Sequence, residues 1–256
     1  MQNVLEKLRN KVVIGRGRDK KKSTISFIAK DKYFFEVFDK PVPASKLIPE
    51  WYKKESSMLF EGTLGITSDG NPARTVKACM PVFDMISAGY MLTLPGDLNI
   101  EKHPDGTPNV QWSTDIMELF THHAPEQYSK LTIPEEYFQV AFKFMNPWII
   151  KTKPGYSCMF IQPSMRDDLP FQIVPGIVDT DKHPVAVNFP FFLRKDFQGM
   201  LEMGTPIVQV IPFKREDWES DYSYYTDNTP EIEWQKSKRK LMNRYKTFYR
   251  TPKIWK

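Results

Sequence analysis

Punctuation by turn-forming residues limits this chain more than any other feature. From residue 75 onward, short runs rich in Val, Ile, Phe and Tyr are separated by Pro95-Gly96, Asp105-Gly106, Asn146-Pro147, Pro154-Gly155 and Pro175-Gly176. Runs this short, bounded by breakers, predict the strands of a sandwich or barrel and leave little room for long helices. Residues 137–144, 185–192 and 207–213 read as three such strands, the last with Pro212 near its end. Residues 25–28 and 33–38 also read as extended. The stretch 41–52 reads as a proline-stiffened connector that enters one short helical turn, with Ser45 as its cap and Trp51 and Tyr52 anchored on the core. Twenty-one prolines, twelve glycines and 14% aromatics fit the same mainly β class.

A chain of 256 residues, 41% of them hydrophobic, can bury a core without disulfides and is not a disordered polymer. Two cysteines, Cys79 and Cys158, are too few for a disulfide framework and point to a reducing compartment. Cys158 lies in an apolar run, where a thiol is expected to be buried packing. No apolar stretch approaches the roughly 18 residues of a membrane span. The first thirty residues also lack a signal-peptide core. The expected protein therefore has no membrane partner.

Charge is distributed unevenly. Residues 1–24 carry a net +6 and residues 235–256 carry +9 with no acid, so 25–234 nets −10 within a total of +5. The N-terminal segment reads as a short amphipathic helix over 4–13 followed by a Gly/Lys/Arg arm at 15–22. Residues 216–233 hold seven acids and no base. After them, Thr229 and Pro230 open a predicted helix with Glu231 and Glu233 in its first turn and a basic far end, which suits the helix dipole. Trp234, Leu241, Tyr245 and Phe248 fall near one face of it. The basic ends could touch nucleic acid, dock on the acidic face of a neighbouring subunit, or be solvated tails. The expected division is a basic arm at 1–24, an extended connector with short strands at 25–74, a β domain at 75–215 with an insertion at 103–145, and an acidic linker plus basic helix at 216–256.

Several chemistries are poorly represented. The histidines, His103, His122, His123 and His183, show no i,i+4 pairing and no partnering Cys cluster, so no metal site is expected. There is no P-loop, dinucleotide fingerprint or Gly-x-Ser-x-Gly elbow.

Four motifs occur in a telling order: Ser87-Ala88-Gly89-Tyr90-Met91, Pro163-Ser164-Met165-Arg166, Pro175-Gly176-Ile177-Val178-Asp179-Thr180-Asp181, and Gly204-Thr205-Pro206-Ile207-Val208-Gln209-Val210-Ile211. Together they resemble the first four motifs of the deoxyuridine triphosphatase and deoxycytidine triphosphate deaminase superfamily, over residues 85–214. That resemblance implies a dUTPase-like β-clip or jelly-roll barrel, usually trimeric, with nucleotide sites between subunits. It assigns Asp179 to the water-activating carboxylate, which would be a buried general base on a tight turn. It places Tyr90, Arg166, Asp181, Lys182, His183 and Gln209 at the ligand site. Departures from the pattern are substantial. Met91 stands where a carboxylate helps hold magnesium, and Lys182-His183-Pro184 stands where the family has an aromatic-Arg-Gly run. No glycine follows Gly204, so the glycine-rich lid is missing. These losses imply a catalytically degenerate relative, with no cofactor unless magnesium accompanies a bound nucleotide.

The phrases IPEWYKK, PGYSCMFIQP, HPVAVNFPF and GTPIVQVIPFKRE also resemble a set of uncharacterised tailed-bacteriophage proteins. That resemblance implies a location in the host cytoplasm or the virion. Three functions follow: a degenerate nucleotide- or anion-binding module at a subunit interface, a structural or assembly protein of the phage particle, or an active nucleoside triphosphate pyrophosphatase or deaminase. Expected partners are further copies of the chain, a trimer being favoured, a nucleotide, phage structural proteins and, through the basic ends, nucleic acid.

Overall fold

The structure, a computed structural model, describes residues 23–59, 74–128 and 130–224, with residues 231, 232 and 235. The expected N-terminal helix and the arm at 15–22 lie outside these residues. So does most of the expected C-terminal helix, of which 231, 232 and 235 are helical. The described chain is mainly β, with fourteen strands numbered along the sequence and three short α-helices.

Five strands form the central sheet, in the order β11 (Gly176–Val178), β9 (Tyr156–Ile161), β14 (Pro206–Lys214), β3 (Tyr90–Thr93), β2 (Val42–Pro43). A second sheet has the order β10 (Phe171–Ile173), β12 (Phe189–Leu193), β7 (Phe142–Phe144), β6 (Phe120–His122). Smaller sheets pair β13 (Gly199–Leu201) with β4 (Leu98–Lys102) and β4 with β5 (Pro108–Trp112), and β1 (Ile25–Ala29) with β8 (Trp148–Thr152). All of these pairings are antiparallel, but only β4 and β5 are joined by a short turn; most of the other partners lie far apart in sequence.

One buried cluster joins strands from all the larger sheets. On β9, Cys158 and Phe160 face it while Met159 points out, the two-residue alternation of a half-buried strand. Phenylalanine dominates the interior: the Phe144 and Phe191 rings stack at 3.8 Å, and Phe171 meets Phe191 edge-on at 5.7 Å. Pro212 is accommodated in β14 because β3 ends opposite Val210, leaving that stretch paired with β9 alone.

Of residues 33–38 only Phe38, the C-cap, is extended; 33–37 are helical. They belong to α1 (Lys32–Val37), whose N-terminus is capped by the Asp31 carboxylate accepting from the Phe34 N–H at 2.8 Å. Phe34 and Phe38, four apart, are both buried and meet edge-on at 5.0 Å, so the apolar period here is helical. Ser45 caps nothing: it lies inside a 3-10 turn over 44–46, and α2 (Glu50–Lys54) starts after Pro49. Tyr52 is buried as expected and donates its hydroxyl to the Lys77 carbonyl. The strand expected over 137–144 survives only as β7, because the Tyr137 N–H turns back to the Pro134 carbonyl. Likewise 185–192 forms a strand only from Phe189. Residues 25–28 are extended as expected, within β1, and the 25–74 segment supplies β1 and β2 to the sheets. Among the described residues no helix is long and apolar enough to cross a membrane.

Candidate functional site

The third motif ends in a tight turn. After β11, the Asp179 carbonyl accepts from the N–H groups of Lys182 and His183, at 2.8 and 2.9 Å, which folds residues 179–183 back on themselves. Thr180 is buried in this turn, and its hydroxyl lies 2.8 Å from that of Thr152 at the end of β8. The two aspartates that flank Thr180 thus come to lie beside the 153–155 turn, where Gly155 has φ +83°. The Gly155 N–H donates to Asp181 Oδ2 at 2.8 Å.

Arg215, the first residue after β14, closes the cluster. Its backbone N–H donates to the Gly155 carbonyl at 2.9 Å, which aims the side chain across the turn. Nη2 reaches Asp181 Oδ2 at 2.5 Å and Nη1 reaches Asp181 Oδ1 at 2.9 Å, a two-pronged pairing. Nη1 also lies 3.0 Å from Asp179 Oδ1, 2.8 Å from Ser157 Oγ and 3.0 Å from the Tyr156 carbonyl. Ser157 Oγ donates to Asp179 Oδ1 at 2.6 Å. Through Nη1 and Nη2 the guanidinium thus holds together the end of β14, the start of β9 and the two turns.

This geometry opposes the role expected for Asp179. Its side chain is 48% exposed, so it is not a buried base; the burial belongs to Asp181, whose side chain is 5% exposed. The Ser157 hydroxyl, with Arg215 behind it, holds Asp179 below its ordinary range. Hydrogen bonds from Arg215 bring Asp181 down to about 2. Carboxylates stabilised in this way are poor proton acceptors near neutral pH.

The other expected site residues are dispersed, and most are satisfied internally. Gln209, wholly buried in β14, accepts from the Ser164 N–H at 3.0 Å and hydroxyl at 2.8 Å. Its amide nitrogen donates to the Met85 and Ala88 carbonyls, each at 2.8 Å, at the end of α3 (Met80–Ser87). Arg166 makes a two-pronged pair with Asp168, both contacts 2.7 Å, and the pairing holds Asp168 below its ordinary range. Tyr90 is half-buried and packs edge-on against Phe27 at 5.2 Å. Lys182 is exposed and His183 half-buried. Asp179, Asp181, Lys182 and His183 thus share one turn, while Gln209 brackets Ser164 to the end of α3 and Arg166 pairs separately with Asp168.

That bracket explains the other motif residues. Gly89 adopts φ +68°, and a Cβ there would lie 2.0 Å from the Val210 carbonyl oxygen, so the backbone approach requires glycine. Met165 adopts φ +59°, and its carbonyl accepts from the Trp51 indole N–H at 2.9 Å.

The residues present do not fit magnesium. Met91 is buried and offers only a thioether, and Asp179 and Asp181 already share Arg215 as their cation. Among the described residues, no group of three or more His, Cys, Asp or Glu is placed to hold a metal. The sequence reading missed Arg215, Ser157 and Gly155. The available signal was the Asp-x-Asp spacing of 179 and 181, which puts two like charges on one turn and calls for a cation. Comparison with models of known protein families and with curated proteins found no match.

Proposed function

We propose that this chain is a structural or assembly protein that works through contacts with other chains, not a catalyst. One observation carries the reading: Asp179, Asp181, Arg166 and Gln209 spend their charge or hydrogen-bonding capacity on protein partners. Groups committed to protein partners in this way fit a structural role. The surface instead offers exposed apolar and aromatic side chains, among them Ile177, Met200, Met203, Trp218, Tyr222 and Tyr224. The resemblance to tailed-phage proteins makes a phage particle the setting to test. The β-clip or jelly-roll arrangement is part of this proposal and is supported by antiparallel sheets that share one core. The test is quantitative mass spectrometry of purified particles. Presence in a fixed ratio to the major structural proteins is expected, and absence would overturn the virion assignment.

A second reading, a degenerate nucleotide- or anion-binding module at a subunit boundary, has one observation in its favour. Lys182 is exposed beside the 179–183 turn and has no ion pair among the described residues. Saturable nucleotide binding that is lost in Lys182→Ala would support it.

A further inference from the structure

Direct cross-strand partners in an antiparallel sheet share a face. In the central sheet, Met91, Gln209 and Ile161 form one outward row, and the end of α3 lies over Gln209. The next row on that face is Ile177, Met159 and Ile211. It is not covered: Ile177 is 60% exposed and Met159 is 36% exposed, with Ile211 half-buried. β11, which carries Ile177, is an edge strand with one flank open. Lys153 and Lys182, in the two turns at this end of the sheet, have no ion pair among the described residues.

A complementary element leaves the same sheet. Beyond Arg215, residues 216–224 form no helix or strand and contain Glu216, Asp217, Glu219 and Asp221 with no basic residue. Trp218, Tyr222 and Tyr224 are 87%, 89% and 86% exposed, so they do not pack on their own sheet. Asp217, Glu219 and Asp221 have no ion pair among the described residues.

We propose that this acidic, aromatic strap docks on the Ile177–Met159–Ile211 row of a second copy of the chain. Trp218 covers the apolar row, the strap runs along the open flank of β11, and its carboxylates meet Lys153 and Lys182. An extended segment beside an open sheet edge is a recurring way to join chains, with apolar anchors supplying affinity. Each contact joins the strap of one copy to the receiving face of another, so the two halves can be removed separately. This inference rests on the assembly reading above.

Sedimentation velocity on the full chain tests it, with Trp218→Ala and Ile177→Asp as variants. Both positions are exposed, and circular dichroism melts check that each variant remains folded. The wild type should self-associate, and each variant alone should sediment as a monomer, weakened about thirtyfold or more as expected for an aromatic anchor. Mixed together, the two variants should form a one-to-one pair, since each retains the half that the other lacks. Added salt should weaken the contact. Self-association untouched by either variant would overturn the strap contact and leave the assembly reading standing. Loss in both variants without pairing in the mixture would overturn the pairing of strap with receiving face. A monomeric wild type would overturn the contact outright, and the assembly reading would then be decided by the particle measurement.

Discussion

Replacing Gln209 by methionine keeps the length of the side chain and removes its amide. Four partners then lose their bonds: the Ser164 N–H and hydroxyl, and the Met85 and Ala88 carbonyls. A buried polar group left unpaired costs about 1–3 kcal/mol. Ser164 and Ala88 are half-buried and Met85 is exposed, so water can recover part of each bond, and the Met85 carbonyl keeps the Ala88 N–H. At about 0.5–1 kcal/mol for each of the four bonds the loss should be about 2–4 kcal/mol, and at 2–4 °C per kcal/mol for a domain of this size the Tm should fall by about 4–16 °C. Gln209→Glu should cost more near neutral pH, because it sets a carboxylate against two carbonyl oxygens. The assay is differential scanning calorimetry of the three proteins. A fall of less than about 3 °C for Gln209→Met would refute the view of Gln209 as a structural bracket.

Gly89→Ala forces a Cβ onto the Val210 carbonyl in a left-handed backbone and should destabilise by about 2–4 kcal/mol, read as a lower midpoint in urea unfolding. Asp181, depressed to about 2, contributes stability that is present above about pH 4 and is lost as pH falls through about 2. Arg215→Met removes that contribution, so the stability gap between wild type and variant should narrow over this acid window; a constant gap would contradict the pairing. Asp31→Ala should cost about 1 kcal/mol through loss of the α1 cap, measured by thermal melting. Burial pushes the Cys158 thiol upward, whereas Cys79 is exposed. A thiol reagent should therefore label Cys79 rapidly and Cys158 only on unfolding, as followed by intact-protein mass spectrometry.

The mainly β class was legible because breakers bounded the apolar runs from Pro95 to Gly176. The error at 33–38 arose because YFFEVF satisfies both periods: Phe34 and Phe38 are four apart, but aromatic crowding also mimics a strand. The Asp31 cap was the local signal that distinguished them. Strands over 137–144 and 185–192 were overextended because turn bonds, such as Tyr137 to Pro134, are invisible to periodicity. At the candidate site, the sequence placed Asp179, Asp181, Lys182 and His183 on one turn. It did not reveal Arg215, whose role depends on β14 lying beside β9. The residues shared with the four motifs include some with a folding role here, Gly89 and Gln209 among them, so a resemblance at those positions can persist without the family's chemistry.

The most direct measurement is the thermal stability of the wild-type chain titrated with deoxynucleoside triphosphates, with and without magnesium. If the Asp179–Asp181–Arg215 cluster is a closed structural clamp, no nucleotide should raise the Tm in a saturable manner. A ligand at about a hundred times its Kd would add about 2.7 kcal/mol, or about 5–10 °C. A shift of that size, selective for one nucleotide and lost in Arg215→Met, would contradict the account.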